Sequence, residues 1–305
     1  MLTDEQAESL AKQLDVHPNY RVLRRLVPQS SFADSAGSRP LVKGIIVDTE
    51  TTGFNHDSDK IIEIGLVAFE FDSETGQAFR VIETYGCLED PGIPITDEIT
   101  EITGITNEMV IGHRIDDDRV KALVADAALV IAHNSKFDRP FLEQRFPVFE
   151  SLPWGCSFAQ VDWVGEGLGA RKLDYIAFQF GFFFDAHRAE ADCLALLTIL
   201  QQDLPKSKTK VLKSLLDKLP QKDWTVYALN SPFETKDLLK ARSYQWDAAR
   251  KTWHRTVTGT DDITSEVAWL KESIYKGKSV KLEFEVRDAH SRYSQQPGKK
   301  VLKDI

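Results

Sequence analysis

The stretch from Lys43 to Phe54, K-G-I-I-V-D-T-E-T-T-G-F, constrains this chain more than any other. Residues 44–47 are a short, largely β-branched apolar run that reads as a buried strand, and Gly53 ends it in a turn. Asp48 and Glu50 stand two residues apart, and side chains at i and i+2 on a strand share a face. Two like charges aimed at one point repel, and burying them is costly unless a cation lies between them. Taken alone, D-x-E fits a solvated strand end as well as a metal site. What separates the two lies further along the chain.

Around that strand the 305 residues predict about two domains. Residues 1–40 read as an N-terminal helical arm and connector. Apolar residues at helical spacing (Ala7, Leu10, Leu14) continue through residues 19–26, and residues 30–40 are rich in Ser, Gly and Pro. Residues 41–205 read as the main α/β domain. Residues 60–71 and 78–88 are strands joined by a turn at 73–76, so this half of the sheet is antiparallel. Helix and strand then alternate: a helix at 118–126, a strand at 128–132, a helix at 136–146 with Pro140 in its first turn, and a fifth strand within 154–161. Helices at 172–180 and 187–200 close the domain. The pattern predicts a mixed five-stranded sheet with flanking helices. Pro205 and the lysines after it mark a linker over 206–223. Residues 224–305 read as a small basic α+β module with strands at 225–229, 251–257 and 280–286, helices at 235–242 and 264–275, and a polar tail.

Charge divides along the same line. The chain carries a net −9, yet residues 206–305 hold 21 Lys+Arg against 13 Asp+Glu, and residues 1–205 hold 17 against 34. An acidic body with a basic end piece allows a polyanionic partner that the total charge would discourage. Three widely spaced cysteines (Cys87, Cys156, Cys193) argue against a disulfide framework or zinc cluster. No apolar run approaches the roughly 18 residues of a membrane span, and the acidic N-terminus lacks an export signal. The expected setting is cytoplasmic, with no membrane partner.

Two further acids belong with Asp48 and Glu50. Asp138 lies in V-I-A-H-N-S-K-F-D, where a buried strand gives way to a helix at the mouth of the sheet. Asp192 lies in H-R-A-E-A-D. His187 and Asp192 are five residues apart, about 500° of helical rotation, so the spacing lets Asp192 face the sheet while His187 leans over the opening. Four carboxylates from separate elements suit hard divalent cations such as Mg²⁺ or Mn²⁺, and histidine is the side chain suited to taking a proton near neutrality. Each residue also has an ordinary reading: Asp138 as a helix-start cap, Asp192 as a helix-face acid, His187 as a cap or surface residue. Together they point to a metal-dependent hydrolase of phosphate esters.

At this point V-D-T-E-T-T-G, I-I-E-I-G, I-T-G-I-T, A-H-N-S-K-F-D and H-R-A-E-A-D resemble the motif series of the DEDDh 3′–5′ exonucleases, over roughly residues 41–203. Within that family the similarity is to the proofreading (epsilon) subunit of bacterial DNA polymerase III. The resemblance implies a ribonuclease H-like exonuclease fold, two divalent ions (Mg²⁺ or Mn²⁺), and stepwise removal of nucleoside 5′-monophosphates from single-stranded or frayed DNA 3′ ends. By motif, Asp48, Glu50, Asp138 and Asp192 take the metal-ligand positions and His187 that of general base. Thr51, Thr52 and Gly53 would lie against the terminal nucleotide. Phe54 would stack on its base or pack as a turn aromatic, and Asn134 would contact the substrate backbone or cap its helix. Glu63 would orient the site; His133 and Phe137 read as packing residues. Two alternatives stand beside DNA hydrolysis: an RNA-trimming exonuclease, and an accessory or tethering subunit with replication or repair proteins as partners.

The basic end piece holds four of the six tryptophans and four of the seven tyrosines. Aromatics among lysines suit single-strand binding, whereas a module this small also needs large aromatics for a core. Trp246 and Trp253 read as core; Lys240, Arg242, Lys251 and Arg255 read as candidates for phosphate contact.

Overall fold

Ten residues, Val42–Thr51, form β1, the central strand of a five-stranded sheet in the computed structural model, which describes residues 2–33 and 39–305. The strand runs four residues beyond its apolar core, so both acids of D-x-E lie within it. β2 (Ile61–Phe71) and β3 (Ala78–Leu88) add antiparallel strands on one side. β4 (Leu129–Ala132) and β5 (Trp154–Cys156) add parallel strands on the other, giving the order β3-β2-β1-β4-β5. This is the ribonuclease H-like exonuclease arrangement expected, a mixed sheet with helices on both faces.

Alternation along β1 divides the core. Ile46 faces a cluster built with Leu196, Leu197 and Leu200 of α6 (Ala189–Leu200). Ile45 and Val47 face the opposite cluster, with Val120 and Leu123 of α3 (Asp117–Val124) and Phe141 and Leu142 of α4 (Ser135–Arg145). α2 (Asp97–Thr103) covers a small third cluster, and α5 (Leu173–Gln179) packs beside α6. Gly65 of β2 permits the closest contact: a Cβ there would lie 2.3 Å from the backbone of Ala189, so the first turn of α6 rests directly on the strand. Pro140 falls in the second turn of α4, not the first, because the helix begins at Ser135.

The N-terminal arm is helical only over α1 (Asp4–Asp15). Where helical spacing continues, the chain is instead extended: Arg24 and Arg25 pair in parallel with Phe182 and Phe183. The phenylalanines supply the reason, since Arg21 and Arg25 lie over the rings of Phe178 and Phe183 at 4.2 and 4.9 Å. Of the expected connector, residues 34–38 lie outside the described residues. Its first part pairs with the outer edge of β3, where Val81 donates to Ser30 and Phe32 donates to Phe79, each at 2.9 Å.

The span expected as a linker holds α7 (Val211–Lys218), whose Val211, Leu212 and Leu215 are fully buried in the α6-side cluster. Its lysines mask an amphipathic helix. A second sheet follows, with β6 (Asp223–Ala228), β7 (Gln245–Asp247), β8 (Thr252–Thr258), β9 (Lys281–Arg287) and β10 (Lys299–Asp304) in the order β10-β9-β6-β8-β7. α8 (Lys236–Ala241) and α9 (Thr260–Trp269) pack on it. The polar tail is therefore partly strand; its lysines (Lys299, Lys300, Lys303) suit an exposed edge. Between β9 and β10 the chain returns to the first sheet, and Trp154 of β5 donates to the Ala289 carbonyl at 2.8 Å. Arg139, 1 % exposed, fixes that return by donating to the carbonyls of His290 and Arg292 (2.6 Å each) while paired with Glu143. All three cysteines are free, and among the described residues no helix is long and apolar enough to cross a membrane.

Candidate active site

The alternation that splits the core also sorts the acids. Asp48 and Glu50 follow Ile46 and point toward α6, whereas Thr49 follows Val47 and points toward α4. Carboxylate oxygens of Asp48, Glu50 and Asp192 all lie within 4.8 Å of one another. Asp138 is outside that triangle. It is 2 % exposed, and its Oδ1 accepts from both the backbone N–H (3.0 Å) and the hydroxyl (2.9 Å) of Thr49. Thr49, between the two acids of D-x-E, is thus the link from α4 to the site.

His187 is not on the helix with Asp192. α6 begins at Ala189, and His187 occupies an exposed bend with φ of 66°. The helix cannot start earlier because two carboxylates hold its N-terminus: Glu63 accepts from the Ala189 N–H at 3.1 Å and Asp192 from the Arg188 N–H at 3.1 Å. Glu63 is also paired with Arg188 at 2.9 Å, so it anchors the turn that carries His187 rather than joining the three-carboxylate cluster. Arg188 had no assigned part in the sequence reading; a basic residue beside a motif histidine gives no clue to a partner 125 residues earlier.

Burial and mutual repulsion raise the pKa values throughout the cluster. Asp48 is held well above the usual carboxylate range by burial and by Asp138, Asp192 and Glu50. Burial, then Asp192, pushes Glu50 up to about 8. Burial takes Asp138 to about 7 against the pull of the Thr49 hydrogen bonds, and Asp192 to about 6 against the Arg188 N–H. Such a set gathers negative charge that the side chains do not neutralise. Hard oxygen donors from two strand positions and one helix position fit a divalent cation of the Mg²⁺ or Mn²⁺ type.

The turn after β1 is internally satisfied. The Thr51 hydroxyl donates to the Gly53 carbonyl at 2.5 Å, and the Thr52 hydroxyl accepts from the Lys60 N–H at 3.0 Å. A Cβ on Gly53 would meet the Asp59 carboxylate at 2.5 Å. Phe54 is 77 % exposed with only an edge contact to Phe137, which rules out the packed turn aromatic. Asn134 precedes α4 with φ of 98°, is exposed, and makes no side-chain cap bond, so the capping reading fails. His133 does pack: its ring bonds Ser157 Oγ (2.8 Å) and the Arg171 carbonyl (2.7 Å), and burial lowers it to about 4.

The RNase_T exonuclease family model matches residues 45–200. The chain is 31 % identical over 169 residues to the DNA polymerase III subunit epsilon of Treponema pallidum, covering 50 % of this chain and 74 % of that protein. It is 31 % identical over 180 residues to a PolC-type DNA polymerase III of Clostridium perfringens, covering 55 % of this chain. This chain spans only 12 % of that PolC-type protein and 16 % of one from Thermotoga maritima. Among solved structures, exonuclease X in complex with 5′ overhanging duplex DNA is similar at 22 % identity with a TM-score of 0.42, covering 57 % of this chain and 98 % of that one.

Proposed function

Because the chain belongs to the RNase_T exonuclease family, we propose that it removes nucleoside 5′-monophosphates one at a time from the 3′ ends of single-stranded or frayed DNA, as a DEDDh 3′–5′ exonuclease. The observation that carries this reading is the meeting of Asp48, Glu50 and Asp192 oxygens within 4.8 Å. Those three residues, with Asp138 beside them, would hold two Mg²⁺ or Mn²⁺ ions. When bound, divalent cations offset phosphate charge and make a water more acidic.

The chain's own residues supply the rest. His187, exposed on the bend before α6 and near enough for its charge to act on Asp192, would accept a proton at an imidazole nitrogen. Glu63 and Arg188 hold that turn against α6. Thr51, Thr52 and Gly53 would present a rigid backbone edge to the terminal nucleotide, because the two threonine hydroxyls are spent within the turn. Phe54 offers an exposed ring for its base. Asn134, exposed at the start of α4 with its side chain uncommitted to a cap, would contact the substrate backbone.

End-labelled DNA and RNA oligomers digested side by side, with Mn²⁺ and with EDTA, test the proposal. The expected result is a one-nucleotide ladder from DNA 3′ ends that requires metal and is lost in His187→Ala. RNA degraded in preference to DNA, or digestion that survives EDTA, overturns it.

A further inference from the structure

The second sheet carries an aromatic groove with a cationic rim. A cavity of about 490 Å³ is lined in part by Phe233, Trp246, Trp253, Lys236, Lys240 and Lys251. Trp246 is 51 % exposed and Phe233 76 % exposed, although both belong to a module with its own apolar core. Trp246 and Trp253 stand opposite in register on β7 and β8, with ring centroids 5.4 Å apart at 60°. Trp253 faces the core and Trp246 stands over it toward solvent. Lys236 lies 4.2 Å from the Phe233 ring centre and Lys240 6.0 Å from that of Trp253.

The module's nearby arginines are committed elsewhere. Arg242 and Arg255 both pair with Glu266, which is 2 % exposed, and Arg250 pairs with Glu283. The groove lining includes three lysines and no carboxylate in a chain whose net charge is −9. Among the described residues none of those lysines is in an ion pair. Folding alone would bury Trp246 and leave lysines wherever solvent is. Instead the exposed rings and the unpaired ammonium groups share one concave surface.

We propose that this groove is a second nucleic-acid site, separate from the three-carboxylate cluster, which takes a short single-stranded segment. Bases stack on Trp246 and Phe233 while Lys236, Lys240 and Lys251 meet the phosphates. Only the choice of ligand rests on the exonuclease reading above. An acidic peptide would match the charge, but two exposed ring faces set between point charges match the base-and-phosphate repeat better.

Binding of a labelled 12-nucleotide DNA to the full chain in EDTA, read by anisotropy, tests this without hydrolysis. Trp246→Ala and Phe233→Ala should each weaken binding about 5- to 100-fold. Lys236→Glu with Lys240→Glu should lower the salt slope by about 0.7 per lysine. Cleavage of thymidine 5′-(p-nitrophenyl phosphate), too small to span two sites, should match the parent in all three variants. Unchanged affinity and salt slope would overturn the second site, as would displacement of the DNA by polyglutamate at equal charge. Failure of the parent to cleave either substrate would count against the exonuclease reading alone, because the binding measurement does not depend on it. Thermal midpoints report folding; both aromatics are exposed, so little change is expected.

Discussion

Asp48 concentrates the electrostatic cost of the site. In the metal-free protein the folded state retains protons that an unfolded chain releases near the ordinary carboxylate value of about 4. The stability linked to those protons is fully present below that value and is lost as pH rises through the folded values, about 6 for Asp192 and about 8 for Glu50. Metal-free protein should therefore melt at a lower temperature at pH 8 than at pH 5.5, and Mn²⁺ should raise the midpoint more at pH 8, where the ligands are ionised. Calorimetry at the two pH values measures both slopes. Asp48→Asn should cut activity by at least about 10³-fold, raise the metal-free midpoint at pH 8, and abolish most of the Mn²⁺ gain. Thr49→Val removes one charge-assisted donor from Asp138 but keeps the backbone one. At about 1.5–3 kcal/mol for such a bond, it should move the acid limb of the pH–rate profile up by about one to two units. The carboxylates were legible because strand alternation and motif spacing are local. The Thr49 link was not, because it joins two residues 89 apart.

Helix α6 depends on what β2 lacks. Gly65→Ala would drive a methyl group into the Ala189 backbone, so the helix must shift, carrying Asp192 away from Asp48 and Glu50. A destabilisation of about 1–3 kcal/mol is expected from the overpacking, with activity falling further than stability explains. Activity measured well below the melting transition separates the two. Glu63→Gln should leave Asp192 in place but free the His187 turn, so kcat should fall while Mn²⁺ affinity changes little. The pattern of residues 187–200 suggested one continuous helix because apolar spacing cannot register a helix end fixed by a carboxylate from another strand. α7 was missed for a related reason: lysines in the sequence outnumber the three buried residues that decide its position. Arg242 and Arg255, expected as phosphate contacts, share the buried Glu266, a partner that composition does not reveal.

At the scale of the molecule, the catalytic sheet and the basic module are joined through Arg139. Arg139→Met leaves Glu143 buried without its cation and frees the carbonyls of residues 290 and 292, which should cost about 3–5 kcal/mol. Adding Glu143→Gln should recover part of that loss, and denaturant titration of the three proteins would show it. Cutting the chain at residue 205 is therefore not a neutral way to remove the module, since α7 and the 289–292 return leave with it. The same return has another effect. Residue 289 sits on the rim of β5 while residues 30 and 32 sit on the rim of β3, so each outer strand of the catalytic sheet has backbone partners beside it. Exposed peptide groups along such rims would template the addition of a second molecule. Segments that look like accessories thus serve as blunt ends, and a truncated form would be expected to polymerise before it lost its chemistry.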